Sequence, residues 1–108
     1  MVNRKDVRYQ IQCPVSFVLD GRAGAGHIFD VSRGGCAIES DMSAAKGDPI
    51  SLNLTIATQP APILIDLGTV RWATRREFGV EFMVVNGASK QRLNEYLIHV
   101  AKQGIPGS

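Results

Sequence analysis

The chain has 108 residues, 44% of them apolar and 20% charged, with a net charge of +2. That length and balance describe one globular domain and argue against disorder. No apolar run approaches the ~20 residues of a membrane span, and the opening MVNRKDVRYQ lacks the apolar stretch of a secretory leader.

A single domain over 1–108 is expected, cytoplasmic by default. The charge is unevenly placed. Of twelve Lys and Arg and ten Asp and Glu residues, the first ten positions hold Arg4, Lys5, Arg8 and Asp6, so the excess of +2 sits there and the remainder balances. A basic surface for long nucleic acid is not expected. A flexible basic arm over residues 1–9 is, either for a small anion or merely solvated. Cys13 and Cys36 are far apart and in no metal-like spacing, which predicts reduced, buried thiols acting as small apolar groups.

From Tyr9 the apolar residues alternate: Tyr9, Ile11, Cys13, Val15, Phe17, Leu19. Period two predicts a long strand with one buried face. Pro14 cannot donate to a ladder and predicts an edge or a bulge. Asp20 to Gly26, DGRAGAG, reads as a hairpin connection. It is no phosphate loop, because Phe29 stands where a third glycine would fall and no helix follows. His27–Val31 and Cys36–Glu39 are short strands on either side of DVSRGG. Ile50, Leu52, Leu54 and Ile56 alternate over the next strand, and QPAP marks a turn. Ile63, Ile65 and Leu67 then shift parity to Val70 and Trp72 at Gly68, the signature of a bulge. Trp72, sharing a face with Val70, is expected in the core. Phe78 to Val84 form the last strand. Ser89 is expected to cap a helix over 89–103 whose Leu93, Tyr96, Leu97 and Val100 make one stripe. Six antiparallel strands in so short a chain predict an all-β fold: a six-stranded antiparallel β-barrel over 9–85, which removes exposed edges, with one C-terminal α-helix capping an end.

Catalytic chemistry is poorly represented, and no enzyme is expected. His27 and His99 have no second His or Cys at ligand spacing, so no metal site is expected. Ser32 lacks a nucleophile elbow. Glu77 and Glu81 read as solvated acids. What remains is a pair of stretches. Arg4 and Arg8 carry planar forks that match phosphate oxygens and the O6/N7 edge of guanine, and their faces stack on purines. In DVSRGG, Asp30 can accept from guanine N1 and N2. Ser32 can donate to a phosphate, Arg33 adds charge, and Gly34 and Gly35 offer bare backbone amides.

R-x-x-x-R at Arg4 and Arg8 followed by D-x-S-x-x-G at Asp30, Ser32 and Gly35 resembles the PilZ family of cyclic di-GMP receptors. VRW at Val70–Trp72, GVEF at Gly79–Phe82 and the terminal helix are similar to that family too, so the likeness covers Arg4 to Gln103. With eight arginines the first motif arises by chance about half the time; the second is expected only ~0.04 times and carries the weight. Many members have an arginine directly before the pair, where this chain has Asn3, in a neighbourhood that sets ligand number.

The resemblance implies a receptor for cyclic di-GMP. Arg4, Arg8, Asp30, Ser32, Arg33, Gly34 and Gly35 would form its site. The arm would order on binding and signal to a protein partner, and no bound cofactor would be needed. The alternatives are a PilZ-fold adaptor that binds protein and no nucleotide, and, more weakly, a barrel for single-stranded nucleic acid. The last would need aromatics spread over a basic face, and this chain has seven Phe, Tyr and Trp residues in all.

Overall fold

The computed structural model describes residues 7–103. Six strands, β1 (Tyr9–Leu19), β2 (Arg22–Val31), β3 (Gly35–Glu39), β4 (Pro49–Leu54), β5 (Ile63–Ala73) and β6 (Glu77–Val84), precede one helix, α1 (Gly87–Gln103). Every pairing is antiparallel. The strands close in the order β1-β2-β3-β6-β5-β4. The expected six-stranded barrel with its C-terminal helix is therefore the fold.

The alternating runs do what period two dictates. In β1, Cys13, Val15, Phe17 and Leu19 point into the barrel, and Ile50, Leu52, Leu54, Ile63 and Ile65 meet them from β4 and β5. Phe17 and Phe78 pack edge to face at the centre, with centroids 5.7 Å apart, a geometry favoured by the ring quadrupole. α1 packs against β5 and β1. Its Leu93 and Leu97 join the same core. Each such side chain, fully buried, contributes roughly 1.5–3 kcal/mol.

Three local expectations are corrected. The hairpin connection expected over Asp20–Gly26 is shorter: the turn is Asp20–Gly21, both at positive φ, and the chain is back in β2 at Arg22. The glycines belong to the strand because neighbours press on it. A Cβ at Gly24 would lie 2.6 Å from Phe17 Cε1, and one at Gly26 would collide with the Glu39 carbonyl oxygen. The helix is capped by Asn86, whose Oδ1 accepts from Ser89 N–H at 2.9 Å. Ser89 lies inside the first turn, buried, and its Oγ accepts from Leu64 N–H at 3.0 Å, which ties α1 to β5. Trp72 is not in the core; it is 42% exposed.

Bulges explain the parity changes. Register slips at Gly68, as its sequence context predicts, between both of its neighbours. β1 slips between Gln10 and Cys13, just ahead of Pro14. Two more slips matter for function: β2 carries Phe29 as an extra residue opposite β3, and β5 carries Arg71 as an extra residue opposite β6.

Candidate functional site

Those last two bulges re-aim side chains. Ile28 and Val70 are both fully buried. In a regular strand, residues two positions on would also point inward. The extra Phe29 and Arg71 cancel that, so Asp30 and Trp72 turn to the outer surface, a known use of bulges. Register then lines them up. Asp30 is the partner of Ala37, Ala37 of Gly79, and Gly79 of Trp72. One lateral row across β2, β3, β6 and β5 thus begins with a carboxylate and ends with an indole. The indole lies against Gly79, so that an added Cβ would sit 2.5 Å from Cε2 and 2.7 Å from Cδ1 of Trp72.

Arg8 completes the carboxylate end. Its Nε donates to Asp30 Oδ2 at 3.1 Å across 22 residues of sequence. Asp30 Oδ1 is enclosed and has no hydrogen-bond partner among the described residues. A buried carboxylate oxygen without a donor is rare and calls for one. Arg71, the bulged residue of β5, forms an ion pair with Glu81 of β6. Glu81 is itself the register partner of Gly35.

The turn between β2 and β3 is held from within. Ser32 N–H donates to the Gly35 carbonyl at 2.8 Å. Ser32 Oγ accepts from Gly34 N–H at 3.2 Å and donates to the Gly35 carbonyl at 3.4 Å. Ser32 is 2% exposed, so in this structure its hydroxyl shapes the turn and does not face solvent. The Gly34 carbonyl accepts from Phe82 N–H at 2.9 Å. Gly35 has no positive φ; glycine is needed there because a Cβ would run into the carbonyl oxygen of Val80. Arg33 is exposed at the tip and leans toward α1, where it lines a groove with Val7 and Tyr9.

Of the expected site residues, then, Arg8, Asp30, Ser32, Gly34 and Gly35 come together, and Arg33 lies on the side of the turn facing α1. Arg4, with the arm up to Asp6, lies outside the described residues. Trp72 is the residue that sequence reasoning placed elsewhere. Beneath the site, Cys36 and Cys13 are free and buried. Burial pushes the Cys13 thiol up to about 11. It also pushes Cys36 well up, with Arg8 pulling it partly back and Cys13 and Asp30 adding to the rise. A separate cleft of about 670 Å³, lined by residues including His27, Glu39, Asp41 and Arg76, holds none of the motif residues. No group of three His, Cys, Asp or Glu residues able to hold a metal occurs among the described residues. No helix among them is long and apolar enough to cross a membrane.

A barrel of this order, with an Arg–Asp pair and a serine-braced glycine turn on one rim, defines a class. The PilZ domain family model matches residues 3–99, and the chain belongs to that family, a class of cyclic di-GMP receptor domains. Among solved structures, MotI/DgrA, the inhibitor of motility of Bacillus subtilis, superposes with a TM-score of 0.73 at 18% identity, over 92% of this chain and 51% of that one. The chain thus spans about half the length of that neighbour. The PilZ domain of CeSA from a cellulose synthesizing bacterium gives 0.70 at 15% identity, over 87% of this chain and 97% of that one. At such identities the likeness is one of fold. No curated protein matches the chain in sequence.

Proposed function

We infer that the chain is a cytoplasmic, non-enzymatic receptor for cyclic di-GMP that closes its basic arm over the ligand and relays occupancy to a protein partner. The observation that carries this reading is the joining of Arg8 to Asp30 at 3.1 Å, beside the serine-braced glycine turn and in register with Trp72. The ligand offers two phosphates and two guanines, and the site offers a complement to each. The guanidinium groups of Arg8 and, four residues earlier, Arg4 suit phosphate oxygens or the Hoogsteen edge of a guanine. Asp30 Oδ1, without a partner among the described residues, suits the N1–H and N2–H donors of a guanine. Arg33 adds positive charge at the turn. Ser32 fixes the turn, Gly34 keeps its backbone open to approach, and Gly35 lets β3 close on β6. The half-exposed indole of Trp72 suits the face of a base.

Arg8 contacts Asp30 across the rim, which brings the two motifs together. Closure of the arm would then add Arg4 and change the surface beside it, which is how occupancy would be read by a partner. By analogy with the motility inhibitor and the cellulose-associated domain, we consider motility and polysaccharide synthesis as the outputs.

Isothermal titration with cyclic di-GMP, GTP, cyclic di-AMP and a short oligonucleotide tests the reading. It predicts saturable heat for cyclic di-GMP and weaker or no binding of the others. Preference for the oligonucleotide would move the assignment to single-stranded nucleic acid. Silence toward every nucleotide would leave the adaptor that binds protein alone.

A further inference from the structure

One surface adjoins the nucleotide site and shares Arg33 with it. Between the start of β1 and the C-terminal half of α1 runs a groove of about 610 Å³, walled by Val7, Tyr9, Leu97, Ile98 and Ala101. Val7 is 55% exposed and Ile98 57% exposed. Two cations, Arg33 from the turn and Lys102 from the helix, stand at its rim. α1 as a whole carries Lys90, Arg92 and Lys102 against a single acid, Glu95. An apolar trough with cationic rims is complementary to a segment that sets a carboxylate beside apolar side chains.

We propose that this groove is the docking site for an acidic, amphipathic segment of a partner protein, its apolar side chains seated between Val7 and Ile98 and its carboxylate on Arg33 and Lys102. This deepens the relay reading above and rests on it for its purpose, and the position of Val7 says how the two sites connect. Val7 directly precedes Arg8, which grips Asp30. Arg33 sits between Ser32 and Gly34 in the turn. One wall and one rim cation of the groove therefore belong to the segments that hold nucleotide, and any movement of either on binding reshapes the trough.

The test pans a random-peptide phage library against the full chain, without and with cyclic di-GMP. Enriched peptides are expected to combine apolar residues with Asp or Glu. A synthetic peptide of the enriched sequence is expected to lose about tenfold or more of its affinity in Ile98→Glu and in Arg33→Glu, and to bind Met83→Glu, altered at an exposed residue of β6, as it binds the parent. Ile98→Glu should keep the parent's circular dichroism. Absence of enrichment, enriched peptides without acids, or binding indifferent to Ile98→Glu would overturn the proposal. So would a dimer in sedimentation, or adsorption to anionic vesicles in place of peptide, that Ile98→Glu abolishes. Failure of the parent to bind cyclic di-GMP would sink the receptor reading and leave the peptide result standing, so the two are separable.

Discussion

Replacing Gly79 with alanine probes the proposed stacking role of Trp72 without touching the tryptophan. The new Cβ would lie 2.5 Å from Cε2 and 2.7 Å from Cδ1 of Trp72, and closer still to Nε1. Ordinary contact needs about 1 Å more, so the indole must lift or swing away. It is free to do so, because Trp72 is already 42% exposed. Losing part of its contact with the sheet is offset by the roughly 0.5–1 kcal/mol that alanine gains over glycine in a strand. Global stability should therefore change by about 1 kcal/mol or less. Binding should change more. Stacking of a base on an aromatic ring is worth ~1–3 kcal/mol, so displacement of the platform should weaken cyclic di-GMP roughly 5- to 150-fold. Trp72 is the sole tryptophan, so its emission reports the ring alone. Gly79→Ala should shift the emission to longer wavelength and raise acrylamide quenching. Unchanged emission together with unchanged affinity would refute both the placement of the ring and its role.

Four further outcomes follow from the same geometry. In Gly35→Ala the Cβ meets the backbone carbonyl of Val80, which cannot rotate aside; a loss of about 2–4 kcal/mol is expected in urea melts, and a parent-like midpoint would contradict the close β3–β6 approach. Arg4→Ala and Arg8→Ala should each weaken cyclic di-GMP by about tenfold or more, one charge-assisted bond being worth ~1.5–3 kcal/mol, measured by calorimetry. Arg8→Ala should shift the unfolding midpoint little, since an exposed ion pair contributes about 0–1 kcal/mol. For Cys13 the folded thiol titrates at about 11 against an ordinary 9.0. Its raised value means stability that is intact below pH 9 and lost as pH climbs through 11; alkaline melts of Cys13→Ala should fall less steeply over that window than those of the parent.

Much of the barrel was legible because the information is local. The alternation from Tyr9 to Leu19 and from Ile50 to Leu54 specifies strand and face together, and the break at Gly68 marks its own bulge. The glycine-rich start of β2 was not legible, because Gly24 and Gly26 are demanded by cross-strand neighbours, Phe17 across the hairpin and the Glu39 carbonyl of β3, that no local pattern shows. Asn86 and Ser89 are both good caps, and the choice between them is made by Leu64, whose amide claims the Ser89 hydroxyl. At the site, D-x-S-x-x-G was readable as a motif, and its pairing with Arg8 is present. Trp72 was misplaced for a single reason. Two residues from Val70 it belongs inside, and only the register with β6 reveals that Arg71 is an extra residue that turns it out. The same device at Phe29 turns out Asp30. The two strand residues turned out toward the candidate site, Asp30 and Trp72, are thus ones for which period two fails.

Cyclic di-GMP is proposed to bind on the rim where Arg8, the glycine turn and Trp72 meet. Mapping amide and side-chain shifts by ¹H–¹⁵N NMR during titration with the ligand tests this placement most directly. The largest changes are expected at the backbone amides of Ser32 to Gly35, the Arg8 Nε–H and the Trp72 indole N–H. Changes confined to the cleft around His27, Asp41 and Arg76, with those signals still, would contradict it.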